Sequence, residues 1–209
     1  MIDKDTRLRV ARGIAKTETE ASVEVFRALK RRGHPEAPPP TITDGWGGID
    51  EAMIEVYGKV PEYSGRGRPC TRKRPRDVWK YLQMVKQREN GRVVGIKLRA
   101  IYGEVSELIR CLGTSTAYIE RSHLTARLFN SRLTRKTLAF SKSVEMYRAS
   151  VVWEDAYYNL VLPHKSLRQE TTSVPGRRWL PHTPAMAAKL TDHIWTVKEL
   201  LYSIPINTC

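Results

Sequence analysis

Hydrophobic and polar positions follow two different rhythms along this chain. Arg7-Leu-Arg-Val-Ala-Arg-Gly-Ile14 alternates with the period of two expected of a strand, and the polar Asp3-Lys-Asp-Thr6 before it predicts a turn. Over residues 17–32 the period lengthens. Val23, Phe26 and Leu29 fall on one helical face, and Gly33 is placed to end that helix. A proline-rich connector spans 34–40. Thr41-Ile-Thr43 is a short β-prone run closing on Asp44, and 49–57 is a second helix stopped by Gly58. Residues 79–89 and 92–102 are rich in β-formers and flank Asn90-Gly91, a pair suited to the positive φ angles of a tight turn. That pattern predicts a hairpin. A short helix over 104–112, ended by Gly113, completes this half.

The remainder is mainly helical. Residues 117–133 form one expected helix and 143–162 another, with serines at its start as N-caps and Pro163 as its stop. A Pro/Gly/Arg-rich linker runs over 163–181. Thr183-Pro184 opens a small helix, and Thr191 is placed to cap a last one through Leu201. No internal repeat is visible. The order of strand, helix, strand, helix, hairpin and helices predicts an α/β domain with a helical tail.

Composition changes this picture in one respect. Hydrophobic residues make up 41% and charged residues 28%, as in ordinary globular proteins, but 36 Lys and Arg stand against 22 Asp and Glu, a formal net charge of +14. Such an excess favours a polyanionic partner, because each neutralised phosphate releases condensed counterions. No apolar run reaches the length of a membrane span and the first residues do not resemble a signal peptide, so no membrane partner is expected. The three cysteines, Cys70, Cys111 and Cys209, are scattered, which argues against a disulfide framework or zinc site and suits a reducing cytoplasm. Positive charge is concentrated in an exposed loop over 58–76. Arg66, Arg68, Arg72, Lys73, Arg74 and Arg76, continued by Lys86, Arg88 and Arg92 in the hairpin, read together as a DNA-contacting surface. For any one of them, a solvated charge is the better reading.

Two carboxylates draw attention. Asp44 closes a strand, and in open α/β sheets the carboxyl ends of strands display ligand groups. It is equally placed to be a turn or N-cap residue before the second helix. Glu120 lies early in the 117–133 helix, with His123 and Arg127 near its face. That face suits a metal–phosphate site or simply solvent; periodicity does not choose.

Three motifs carry a resemblance. Thr43-Asp-Gly-Trp46, then Tyr118-Ile-Glu-Arg-Ser-His-Leu-Thr-Ala-Arg127, then Arg132-Leu-Thr-Arg-Lys-Thr-Leu-Ala-Phe-Ser-Lys-Ser-Val-Glu145 resemble the DDE transposases of the insertion-sequence-one family, over roughly residues 2–162. Asn159 with Pro163-His-Lys-Ser-Leu-Arg168 is a weaker match. The resemblance implies a ribonuclease-H-like mixed sheet flanked by helices. The catalytic domain would span 1–162, with 58–113 as an insertion and 163–209 as a linker and helical extension. It implies that Asp44 and Glu120 bind Mg²⁺ or Mn²⁺ and serve DNA strand cleavage and transfer. Arg121, His123 and Arg127 would face double-stranded DNA, in a homodimer associated with the nucleoid.

The chain departs from that family in two ways. The strand carrying the family's first Asp would precede Met1, so Asp3 and Asp5 align with the turn after it, and the usual zinc-binding and helix-turn-helix segments are missing. The expectation is a shortened chain with part of its metal site absent. The stretch from Asp44 to Glu120 is also longer than usual, the excess falling in the basic loop and hairpin. A DNA-binding remnant without activity, or an unrelated basic RNA-binding protein, are the alternatives.

Overall fold

A computed structural model describes residues 1–203 apart from 64, 66, 135, 172–175 and 177. The chain divides into two compact units. One contains Met1 and Ala11–Ala117; the other contains Ile2–Val10 and the described residues from Tyr118 onward.

The first unit is α/β. Helix α1 (Glu18–Arg31) begins at a capping box: the Thr17 hydroxyl accepts from the Glu20 N–H at 3.2 Å, and the Glu20 carboxylate accepts from the Thr17 N–H at 3.3 Å. Its buried residues, Phe26 and Leu29, come from the predicted stripe, and it packs on α2 (Gly48–Tyr57). Strand β1 (Thr41–Asp44) pairs in parallel with β2 (Tyr81–Glu89), α2 lying between them in sequence, and β2 pairs antiparallel with β3 (Arg92–Tyr102). The result is a three-stranded mixed sheet in the order β1-β2-β3. The hairpin turns where expected, with Asn90 at φ 48° and Gly91 at φ 79°. Helix α3 (Val105–Leu112) follows and buries Leu108.

The core is aromatic. Phe26, Tyr57, Trp79 and Tyr102 form a run of edge-to-face contacts with centroids 6.4, 6.5 and 5.3 Å apart, a geometry favoured by the ring quadrupoles. Tyr81, Leu82, Gln83 and Met84 are buried on β2, whereas the strand is exposed from Lys86 onward. The hairpin's near half therefore belongs to the core and its far half stands in solvent.

The expected strand over 7–14 does not form. A tight turn closes instead, with the Asp3 carboxylate accepting from the Thr6 N–H at 2.9 Å and the Asp3 N–H donating to the Leu8 carbonyl at 2.8 Å. Its ladder is a single bridge, Ile2 to Arg9, and Arg7 sits at φ 61°, which breaks any extended run.

The second unit contains α4 from Tyr118 onward (the helix is Ala117–Phe129), α5 (Val144–Leu160), α6 (Pro184–Ala187) and α7 (Val197–Ser203). The helix expected over 117–133 is broken at Asn130. This side chain accepts from the Arg132 N–H at 3.1 Å and donates to the Ser150 hydroxyl at 2.7 Å, and a 3₁₀ turn, Ser131–Leu133, follows. Ser143 caps α5 and Thr183 caps α6, as expected. Helix α7 begins later than Thr191, because Thr196 caps it: its hydroxyl accepts from the Glu199 N–H at 3.1 Å. Thr191 instead accepts from the Trp195 indole at 2.9 Å. A two-residue ladder, β4 (Gln169–Glu170) against β5 (Trp179–Leu180), occupies part of the expected linker.

The segment Ile2–Val10 is strapped onto α4 and α5 by Arg9. Its buried guanidinium donates to the Ser122 hydroxyl at 2.8 Å, the Ser122 carbonyl at 2.9 Å, Asp155 at 3.0 Å and Glu154, and lies 3.8 Å from the Tyr158 ring centroid. Asn159 bonds both backbone groups of Arg9, each at 3.0 Å. Glu154 and Asp155 look like ordinary surface charge in sequence. Glu154 is in fact buried, and both neutralise Arg9.

Candidate carboxylate and phosphate sites

Asp44 ends β1 with an exposed side chain, and its Oδ1 accepts from the Trp46 N–H at 3.4 Å. Asp44 thus stands at the carboxyl end of a strand and makes a turn contact, while the N-cap of α2 is Gly47. Beneath Asp44 lies a polar cluster. The Thr43 hydroxyl is 2.8 Å from the Tyr81 hydroxyl, and Gln83 donates to the same oxygen at 3.0 Å and to the Trp46 carbonyl at 3.2 Å. A second acid belongs to this cluster: Asp50, in the first turn of α2, accepts from the Tyr102 hydroxyl. Burial first, and then the nearby charges of Asp50 and Asp44, push the Tyr81 hydroxyl up from its ordinary pKa. Gly48 permits a close approach here, since a Cβ on it would fall 2.3 Å from the Trp46 ring. The sequence signal for Asp50 is the run Asp44-Gly-Trp-Gly-Gly-Ile-Asp50, two acids bracketing a glycine-rich turn.

Glu120 is exposed in the first turn of α4, in the second unit, so Asp44 and Glu120 belong to different units. Among the described residues, no group of three or more His, Cys, Asp or Glu side chains is placed to hold a metal ion. The donors fit a hard cation in kind, as exposed carboxylates.

The basic candidates are spread over both units. Arg68, Arg72, Lys73 and Arg74 are exposed on the loop, which is pinched by a bridge between Lys59 and Arg74. Lys73 pairs with Glu55 at 3.1 Å, and the half-buried Arg76 approaches Glu36 at 3.6 Å. Lys86, Arg88 and Arg92 lie on the solvent-exposed half of the hairpin. Arg66 lies outside the described residues. On α4, Arg121 and His123 are exposed and Arg127 is half-buried.

One basic feature went unnoticed in the sequence. A cavity of about 470 Å³ opens in the second unit, lined among others by Arg7, Tyr118, Arg121, His164, Lys165 and Ser166, and by no acidic residue among those described. Arg7 stacks 3.4 Å from the Tyr118 ring centroid, while its Nε and Nη1 atoms are buried and donate to no acceptor among the described residues. His164 bonds Ser166 at 2.9 Å and meets Tyr158 edge-on. Burial, followed by Arg7 and Arg121, lowers the His164 pKa. Local patterning offers no signal for this site, because its wall joins the first ten residues to α4 and to the 164–166 turn.

No family model, curated protein or solved structure matches the chain. Among the described residues, no helix is long and apolar enough to cross a membrane.

Proposed function

We propose that this chain is the catalytic part of an insertion-sequence transposase, acting on double-stranded DNA as a homodimer. The observation that carries the reading is Asp44, an exposed carboxylate at the carboxyl end of a strand in a mixed sheet, in the Asp-Gly-Trp motif of the family it resembles. A ribonuclease-H-like core and a nucleoid location belong to the same proposal. Asp44 and Glu120 would hold Mg²⁺ or Mn²⁺, which when bound supplies charge for in-line displacement at phosphorus. The exposed arginines of the loop and hairpin hold the DNA backbone by charge and carry no sequence information themselves.

A second reading, DNA binding without cleavage, rests on the exposed basic residues of the loop and hairpin alone. The deciding experiment incubates the purified chain, with Mg²⁺ or Mn²⁺, with a plasmid carrying the DNA that flanks its gene. The first reading expects strand cleavage that falls to background in Asp44→Asn and Glu120→Gln while DNA binding persists. Binding without cleavage by the natural chain selects the second reading. Failure to bind DNA sinks both.

A further inference from the structure

We propose that the Arg7 cavity of the second unit is a phosphate-binding site, anchored by the Arg7 guanidinium and completed by Arg121, His164, Lys165 and Ser166. The inference stands on this cavity alone and holds whether or not the chain cleaves DNA.

The contrast between two arginines on one short segment carries it. Arg9 is fully compensated by two carboxylates, two oxygens of Ser122 and an aromatic face. Arg7, two residues earlier, has only the Tyr118 ring, and its Nε and Nη1 are buried without an acceptor. A buried donor on a charged group left unbonded is destabilising by several times the worth of an ordinary hydrogen bond. Among the described residues no acceptor bonds these nitrogens, and no Asp or Glu lines the cavity. An anion with several acceptor oxygens satisfies them. The guanidinium presents donors on two forks that match phosphate, and the two unbonded nitrogens belong one to each fork.

The neighbours point the same way. Arg121 and Lys165 add charge at the rim, and the Ser166 hydroxyl and His164 ring add donors that do not need to be ionised. His164 is held towards its neutral form first by burial and then by the two arginines. The backbone fixes the anchor in place: the Asp3 turn holds Arg7 at φ 61°, a conformation that side chains other than glycine rarely adopt. The volume of about 470 Å³ admits a phosphate with its ester substituents.

The test follows arginine Nε–H and histidine ring signals by NMR in the natural chain while inorganic phosphate is added. The expected result is a saturable shift of the Arg7 Nε–H, a rise in the His164 pKa, and affinity roughly tenfold or more weaker in Arg7→Gln and Arg121→Gln. Arg121 is exposed, so its variant decides the matter if Arg7→Gln does not fold. A drift shared by all arginines without saturation, or unchanged affinity in Arg121→Gln, overturns the proposal. A second arm adds a thymidine oligonucleotide. Competition with inorganic phosphate assigns the site to a nucleic-acid backbone, and no competition assigns it to a small phosphate compound.

Discussion

Arg9 shows how much one side chain can organise when its charge is buried and fully paired. Removing one partner of such a pair leaves the other charged and desolvated, which costs about 3–5 kcal/mol. Arg9→Met is therefore expected to lower the unfolding free energy by about that much in urea denaturation, with Glu154→Gln restoring part of it in the double variant. The histidines give the residue scale a pH signature of two signs. His193 lies 2.7 Å from Asp192 and 3.3 Å from Glu199; the Asp192 hydrogen bond foremost raises its pKa above the ordinary 6.5. Its contribution to stability is present below pH 6.5 and is lost as pH rises through the raised value. His164, shifted down by burial, contributes above pH 6.5 and loses that contribution as pH falls through its lowered value. Histidine NMR titration is expected to place the two on opposite sides of 6.5, with Asp192→Asn bringing His193 back towards it.

Elements with local signals were legible in the sequence. Asn90-Gly91 specifies the hairpin because both residues must take positive φ, and replacing Gly91 by Ala is expected to destabilise the fold by about 1–2 kcal/mol, measured by thermal melting. Thr17, Ser143 and Thr183 cap the helices they precede because a short hydroxyl side chain reaches a free N–H within one turn. Asp44 was legible as the end of a strand for the same reason. Elements decided by distant partners were not. The alternation at 7–14 is a strand pattern with no strand to pair with, and its apparent polar face is two arginines committed elsewhere. Glu154 reads as surface charge because the residue that buries it lies 145 positions away, and the partner of Asn159 lies 150 positions away. Asp50 and the Arg7 cavity were missed on the same physical grounds, since their partners are brought by tertiary packing.

At the scale of the molecule, the net charge of +14 sets how binding responds to salt. Each phosphate contact contributes about −0.9 to the slope of log affinity against log salt concentration on duplex DNA. Neutralising Arg68, Arg72, Arg88 and Arg92 to Gln is expected to reduce that slope by about three to four units, read by fluorescence anisotropy at several salt concentrations. An unchanged slope would mean that these four residues do not touch phosphate. All four are exposed, so their replacement leaves the aromatic core and its stability within about 0.5 kcal/mol of the starting protein.

The strap held by Arg9 also sets an order of events during synthesis. Arg9 is made 145 positions before the buried acid that pairs with it. At about 5–20 residues per second, roughly seven to thirty seconds pass between them. Over that interval the first unit's sheet and aromatic core are synthesised, while Arg9 waits without its carboxylates. The Arg9 guanidinium therefore stays in solvent until Glu154 and Asp155 have been made.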